Sequence, residues 1–340
     1  MTDPAAPSRP PGMLDVARAA GVSAQTVSRV LRGHPYVSDE KREKVLEAVR
    51  QLDYRMNPAA RALSSGRTRT IGVLSMATES YAGAMTQLAI EHAADAEGYS
   101  VVGAHIANVD AGSISAALDR LERLGAEGLI LAVPLRAQDR RIESMSERLP
   151  TATIGGSPVE RARSLDVDQR AVARLATEHL LALGHRTVQH VSGPGDWVDA
   201  VERTAGWREV LEDAGRSVPP IIHGDWTPES GYRAGLQLGS DPGTTAVFVA
   251  SDEMAFGVIR GLHDAGRRVP EDVSIVGVDD VRLSAYCTPA LTTVAQPFTE
   301  LGLSAVASVT ARLEGRDDPT ADRPLAPQLL VRESTAAPHA

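Results

Sequence analysis

Apolar positions near the start of the chain recur at helical spacing, and after Thr70 they change to short continuous runs. Over 14–20, Val16, Ala17 and Ala20 share one face, and Gly21 stands where a left-handed helix end is favoured. Over 24–31, Val27, Val30 and Leu31 fall at i, i+3, i+4, and Gly33 and Pro35 end the helix. A third helix follows Ser38, with Asp39 and Glu40 at its positive end and Val45, Val49 and Leu52 as its buried stripe. Ser23 and Ser38 are the predicted caps of the second and third helices. From Thr70 onward nine apolar runs alternate with helical-period segments such as 86–97 and 252–265. The runs are TIGVLSM, SVVGAHI, GLILAVP, TATIGG, TVQHVSG, PIIHGD, AVFVAS, VSIVGVDD and LTTVAQP. Such β–α–β alternation predicts parallel sheets with helices on both faces. Nine units exceed one ordinary doubly wound domain, so the body is predicted to form two lobes.

Charge separates the same two parts. Residues 1–70 hold twelve Lys and Arg against seven Asp and Glu, a net of +5, and the remainder carries −14 of the chain's −9 total. A basic head on an acidic body points to nucleic-acid binding by the head. The lone Cys287 excludes an internal disulfide and fits a reducing compartment. The first twelve residues hold four prolines and no apolar run, and neither a secretory signal nor a membrane span is visible. A cytoplasmic protein is therefore expected.

Two helices joined by a short glycine-containing turn make a helix-turn-helix, whose second helix lies in the major groove. The positions left exposed there are Ala24, Gln25, Ser28 and Arg29. Gln pairs bidentately with adenine and Arg with guanine, while Ala offers only an apolar contact. Arg32, Lys41, Arg42 and Arg55 are within reach of phosphates, which set register without reading sequence. By pattern alone these short helices would also suit a small core bundle. The segment NPAARALSSG, 57–66, reads equally as a linker or as a short helix with Asn57 as cap and Pro58 in its first turn.

The stretches LDVARAAGVSAQTVSRVLRG and VSDEKREKVLEAVRQLDYRMNPAARALSSGRTRTIGVL resemble the start of a LacI-family transcriptional repressor, and the resemblance extends over the body. It implies a lambda-repressor-like all-α helix-turn-helix domain plus hinge helix. An α/β periplasmic-binding-protein-like body of two doubly wound parallel-sheet lobes follows. Residues 1–12 would be a disordered tail, 13–56 the DNA-binding domain, 57–69 hinge helix and linker, and 70–340 the effector-binding and dimerisation domain. Within the last, the N-lobe is about 70–166 and 297–325, and the C-lobe about 167–296 and 326–340. By the same resemblance Asn57, Ala60 and Leu63 belong to the DNA-contacting hinge, with Leu63 wedging the central base step of the minor groove. Paired hinges imply a homodimer on double-stranded operator DNA of near-palindromic sequence. Two positions depart from the family. Gly12 replaces a hydroxyl cap, and Arg32 replaces an Asn before the glycine closing the recognition helix.

Ligands of parallel sheets sit beyond the carboxyl ends of the strands. The residues there are Met76, Gly155 and Gly156, Gly193 to Trp197, Trp226, Ser251 and Asp252, Asp279 and Asp280, and Gln296 and Phe298. Aromatic faces beside planar polar groups are the chemistry of sugar recognition. The resemblance implies Arg203 as the clamp on sugar hydroxyls and Asp279 as the accepting carboxylate. Ser251 stands where one sugar-responsive member of the family has a hydroxyl-binding Asn. Trp226, Gln296, Phe298 and Leu301 match effector-pocket positions, and Trp197 matches a second platform. Gly155, where one sugar-responsive member of the family has a carboxylate, leaves room for a larger ligand, and a β-linked galactoside or glucoside is favoured. The expected effector set is Met76, Trp197, Arg203, Trp226, Ser251, Asp252, Asp279, Gln296 and Phe298. No cofactor or metal is expected. SGPGDW lacks the third glycine of a dinucleotide loop, no nucleophile elbow or P-loop occurs, and the nine His lack zinc spacing. An enzyme is therefore not expected. The remaining alternatives are a regulator answering to a corepressor or partner protein, and a sugar-binding transport component.

Overall fold

The computed structural model describes residues 11–31, 36–54, 66–77, 80–134, 139–155, 163–318 and 325–339. Arg32, Arg55, Asn57, Ala60, Leu63 and Gly156, named above, lie outside them. The chain divides into two compact units, Met1–Thr68 and Arg69–Ala340.

In the first unit α1 spans Met13–Ala20, α2 Ala24–Leu31 and α3 Asp39–Gln51. Gly12 offers no capping side chain, and Asp15 takes over: its Oδ2 accepts the Gly12 N–H at 2.9 Å. Gly21 turns the chain at φ +65, and Ser23 Oγ accepts the Thr26 N–H at 3.2 Å, opening α2. Ser38 stands at the cap position of α3 with extended backbone, but its side chain makes no capping bond. That end is exposed, so its first N–H groups are open to solvent, and Asp39 and Glu40 answer the helix dipole. Val16, Ala17, Ala20, Val27, Val30, Val37, Val45 and Ala48 form the core, with Val49 and Leu52 only partly covered. Eight-residue helices are marginal alone, so this shared core holds them.

The second unit carries two sheets. In the first, β1 (Thr70–Met76), β2 (Ser100–Ile106), β3 (Gly128–Ala132), β4 (Thr151–Ile154) and β5 (Arg163–Leu165) run parallel in the order β2-β1-β3-β4-β5. Helices α4 (Tyr81–Ala96), α5 (Ala111–Arg123) and α6 (Arg140–Arg148) belong to it. Ile71, Val73 and Ile130 pack on one face and Leu74, Leu129 and Leu131 on the other. Burial on both faces explains why β1 and β3 read as nearly unbroken apolar runs.

The second sheet is ordered β11-β10-β9-β8-β6-β7. Its strands are β6 (Gln189–Ser192), β7 (Ile222–His223), β8 (Ala246–Val249), β9 (Ser274–Val278), β10 (Thr292–Ala295) and β11 (Gln328–Leu330), the last pairing antiparallel to β10. Helices α7 (Gln169–Ala182), α8 (Val198–Asp213), α9 (Pro228–Gly239) and α10 (Asp252–Asp264) accompany it. α9 and α10 cross closely because a Cβ on Gly257 would overlap the Pro228 carbonyl.

Two strands, β5 and β11, go beyond the nine expected runs; at three residues each they carry too little pattern to show. α11 (Phe298–Glu314) follows β10 of the second sheet yet packs on the first, against β3, β4, β5 and α4. The chain therefore crosses between the sheets after β5, again after β10, and a third time between α11 and β11. Those crossings position the site.

Candidate functional site

A cavity of about 720 Å³ lies where the carboxyl ends of the first sheet's strands meet the crossing segments and the start of α8. Two of the crossings contribute: Asp166 to Arg170 between β5 and α7, and Gln296 and Phe298 between β10 and α11. Of the nine residues expected to form the site, Met76, Trp197, Gln296 and Phe298 line this cavity.

Arg203 and Asp279 stand behind that wall, joined through residues that do line it. Arg203, 3% exposed, donates from Nε to Gln169 Oε1 at 2.8 Å and from Nη1 to the Ala250 carbonyl at 2.5 Å. Gln169 Nε2 donates to Gln296 Oε1 at 3.0 Å, and Gln296 Nε2 donates to Asp279 Oδ1 at 2.6 Å. The result is one chain of bonds, Arg203–Gln169–Gln296–Asp279, with its two amides facing the cavity. Burial pushes the Asp279 carboxyl up to about 6, with Arg203 and Gln296 pulling the other way.

Trp226 sits at φ +71, a costly backbone for a bulky residue, and its Nε1 is buried with no hydrogen-bond partner. Its ring meets Trp197 edge-on at 5.7 Å and 70°, and the Arg203 guanidinium lies 5.8 Å from its centre. The seat for that ring is Gly193, where a Cβ would overlap ring atoms. Gly193→Ala is accordingly expected to displace Trp226. The near-ultraviolet circular dichroism of the tryptophan pair should change and stability fall by about 1–3 kcal/mol, read by thermal melting. An unchanged spectrum would show that the ring is not held there.

Ser251 and Asp252, expected at the ligand, are absorbed into the framework instead. Ser251 Oγ accepts the Met254 N–H at 3.3 Å and caps α10. Asp252 is fully buried. It accepts from Thr293 Oγ1 at 2.6 Å, Ser284 Oγ at 2.7 Å and Val281 N at 2.9 Å. It ties α10 to β10 and to the loop after β9, leaving no carboxylate oxygen for a ligand. Burial first, and Asp279 beside it, push its carboxyl up to about 7 against those three donors.

The cavity also brings in residues that strand-end reasoning missed. Gln169 follows β5, a strand too short to read. Asp199 lies two residues after Trp197 and four before Arg203, a helical spacing that could have revealed it. His105 Nδ1 and Ser75 Oγ, opposite each other across β1 and β2, are 2.8 Å apart at the rim. Tyr81 N donates to Glu253 Oε2 at 3.2 Å, a contact between α4 on the first sheet and α10 on the second.

In the helical unit, Gln25 and Arg29 are exposed on α2. Ser28 is half-buried, and Ala24, expected to be exposed, is partly buried against the core of the helical unit. Arg18, Lys44 and Arg50 pair with Asp15, Glu40 and Glu47, whereas no ion pair engages Arg29 among the described residues. No group of His, Cys, Asp and Glu among the described residues is arranged to hold a metal. No helix among them is long and apolar enough to cross a membrane.

Residues 12–57 match the model of bacterial regulatory proteins of the lacI family, and residues 177–335 match that of a periplasmic binding protein-like domain. The chain is 34% identical to the lactose operon repressor of Escherichia coli (strain K12), covering 97% of this chain and 92% of that protein. It is 34% identical to the HTH-type transcriptional regulator CelR of Thermobifida fusca, covering 96% and 98%. Among solved structures it is similar to the lac repressor dimer bound to operator and the anti-inducer ONPF. That likeness has a TM-score of 0.84 at 32% identity, covering 97% of this chain and 100% of that chain. A CelR–cellobiose complex matches with TM-score 0.70 at 32% identity, covering 95% and 99%.

Proposed function

The chain belongs to the lacI family of bacterial regulatory proteins, and on that premise we propose that it is a sequence-specific transcriptional repressor of carbohydrate-utilisation genes, released from its operator by a sugar. The observation that carries this reading is the pairing, in one chain, of a helix-turn-helix with exposed Gln25 and Arg29 and a cavity walled by Trp197 and the Gln169–Gln296 amides. Aromatic faces stack on sugar C–H surfaces, and side-chain amides both donate to and accept from hydroxyls. Arg203 and Asp279 polarise those amides from behind. The relatives include a lac repressor seen as an operator-bound dimer and a CelR seen with cellobiose, which supports a cytoplasmic homodimer answering to a β-linked sugar.

Sugar held between the sheets pulls the two lobes together, with Tyr81–Glu253 among the contacts that tighten. Closure repositions the N-lobes of the dimer and separates the hinges, carried in this reading by Asn57, Ala60 and Leu63, and operator affinity falls. Coupling of this kind is reciprocal, so operator weakens sugar binding by the same factor. Fluorescence anisotropy of labelled operator, with and without cellobiose or lactose, tests it: sugar should release the DNA, and equal sugar affinity in both states would refute it. Arg29 reads a guanine, Gln25 an adjacent base, and Ser28 and Arg32 hold the backbone. Arg29→Ala should cost about 1–3 kcal/mol and relax preference at one G·C pair, checked by a panel of single-base operator variants.

A further inference from the structure

We infer that the cavity admits an uncharged sugar and rejects its phosphorylated form, and that Asp199 enforces the choice; this rests on the sugar-responsive reading above. Among the described residues, the ionisable side chains lining the cavity are Asp166, Asp168, Asp199 and Glu202 against Arg170 and His105. The one guanidinium is already committed: Arg170 donates from Nε to Glu202 Oε2 at 2.6 Å and from Nη1 to Glu209. Arg203, behind the wall, is likewise bonded to Gln169 and to the Ala250 carbonyl. Among the described residues that line the cavity, no guanidinium or ammonium group is left over for a phosphate.

The carboxylates differ among themselves. Asp166 accepts from Ser164 Oγ at 2.6 Å, Asp168 caps α7 through the Ala171 N–H at 2.9 Å, and Glu202 holds Arg170. Asp199 lines the cavity with no hydrogen bond from any described residue. It lies in the first turn of α8, whose cap residue Trp197 supplies no side-chain bond. Burial raises its carboxyl, and the positive charge of Arg203, one turn on, draws it back. A second polar group is unmet nearby, the buried Nε1 of Trp226, whose ring leans on Trp197.

Helix N-termini normally welcome anions, and α7 and α8 both begin at this cavity. Each end carries roughly half a positive charge, and each is already met by a carboxyl group of the chain itself, Asp168 and Asp199. A sugar hydroxyl donates to the open Asp199 carboxylate in a charge-assisted bond. A phosphate dianion in its place would face Asp199 and Glu202 with its hydration lost and no cation in return. The effector is therefore the sugar as it stands before any phosphoryl transfer to it.

Isothermal titration of the full-length protein with cellobiose, lactose, cellobiose 6′-phosphate and lactose 6-phosphate tests this. A neutral disaccharide should bind, and its phosphate should bind at least about 100-fold more weakly. Asp199→Asn should weaken the neutral sugar by about tenfold and reduce the discrimination to about tenfold or less. Asp199→Glu, which keeps the charge, should preserve the discrimination and serves if the Asn variant does not fold. Phosphate binding within about tenfold of the parent sugar would overturn the inference and leave the sugar reading standing. Unchanged discrimination in Asp199→Asn would remove Asp199 from the role. Binding of none of the four by the wild-type protein would overturn the sugar reading itself.

Discussion

Arg203→Ala is expected to abolish release of operator by sugar while leaving operator binding intact. The side chain is buried, and its two bonds reach Gln169 and the Ala250 carbonyl, residues far apart in sequence. Its removal frees Gln169, and with it the orientation of Gln296 against Asp279. Trp226 also loses the charge beside its ring. The cavity wall then offers amides in many orientations where one was held, and a ligand must order them at its own cost. Sugar affinity should fall by at least about 100-fold, while exposure of the Ala250 carbonyl costs stability of about 1–3 kcal/mol. Arg203→Lys keeps a positive charge near Asp279 but cannot hold both partners in a planar fork, so it should lie between the two. Sugar titrations of the operator complex, paired with thermal melts, separate loss of response from loss of fold. A full response in Arg203→Ala would remove the Arg203–Gln169–Gln296–Asp279 chain from the mechanism.

The second large effect concerns pH. Asp252 is raised to about 7 and Asp279 to about 6 in the folded protein, from ordinary values near 4. Between those limits the folded state holds protons that the unfolded chain has released. Their contribution to stability is therefore full below about pH 4 and is lost as pH rises through 6 and 7. For Asp252 alone, a shift of that size corresponds to roughly 4 kcal/mol at most. Thermal melts of the full chain should show a higher Tm at pH 5 than at pH 7.5. Asp252→Asn, which is uncharged at both, should flatten much of the difference. Asp272, held at about 2 by Arg268, acts in the opposite sense, and only as pH falls below about 4. A Tm that rises from pH 5 to 7.5 would show that Asp252 is ionised throughout.

The division between what could be read beforehand and what could not follows the range of the interactions. The helices of the first unit were legible because Val16, Val27, Val30 and Val45 repeat at helical spacing and Gly21 and Ser23 act on their own neighbours. The clearest of the nine runs, at β1, β3, β8 and β9, were legible because strands buried along most of their length carry few polar residues. Ser38 was misread because a cap residue can be present without its bond when the same N–H groups are open to solvent. Gln169 was missed because β5 is three residues long, and the crossing it opens has no periodicity of its own. Trp226, Asp279 and Asp280 lie at strand ends as read, but their positive φ values belong to the loops that the tertiary structure closes around them.

By itself, then, the sequence determined the elements, the α/β alternation, the separation of a basic head from an acidic body, and which residue types gather at strand ends. These follow from contacts over three or four residues, or from alternation along one strand. Only the tertiary structure decided which polar groups face the cavity and which are spent behind it. Asp252 looks as available as Asp199 in the sequence. Its oxygens are taken by Thr293, 41 residues away, and Ser284, 32 away, whereas no donor among the described residues reaches Asp199. A buried carboxylate goes to whichever donors the fold brings within about 3 Å, and local pattern carries no record of partners that distant in the chain.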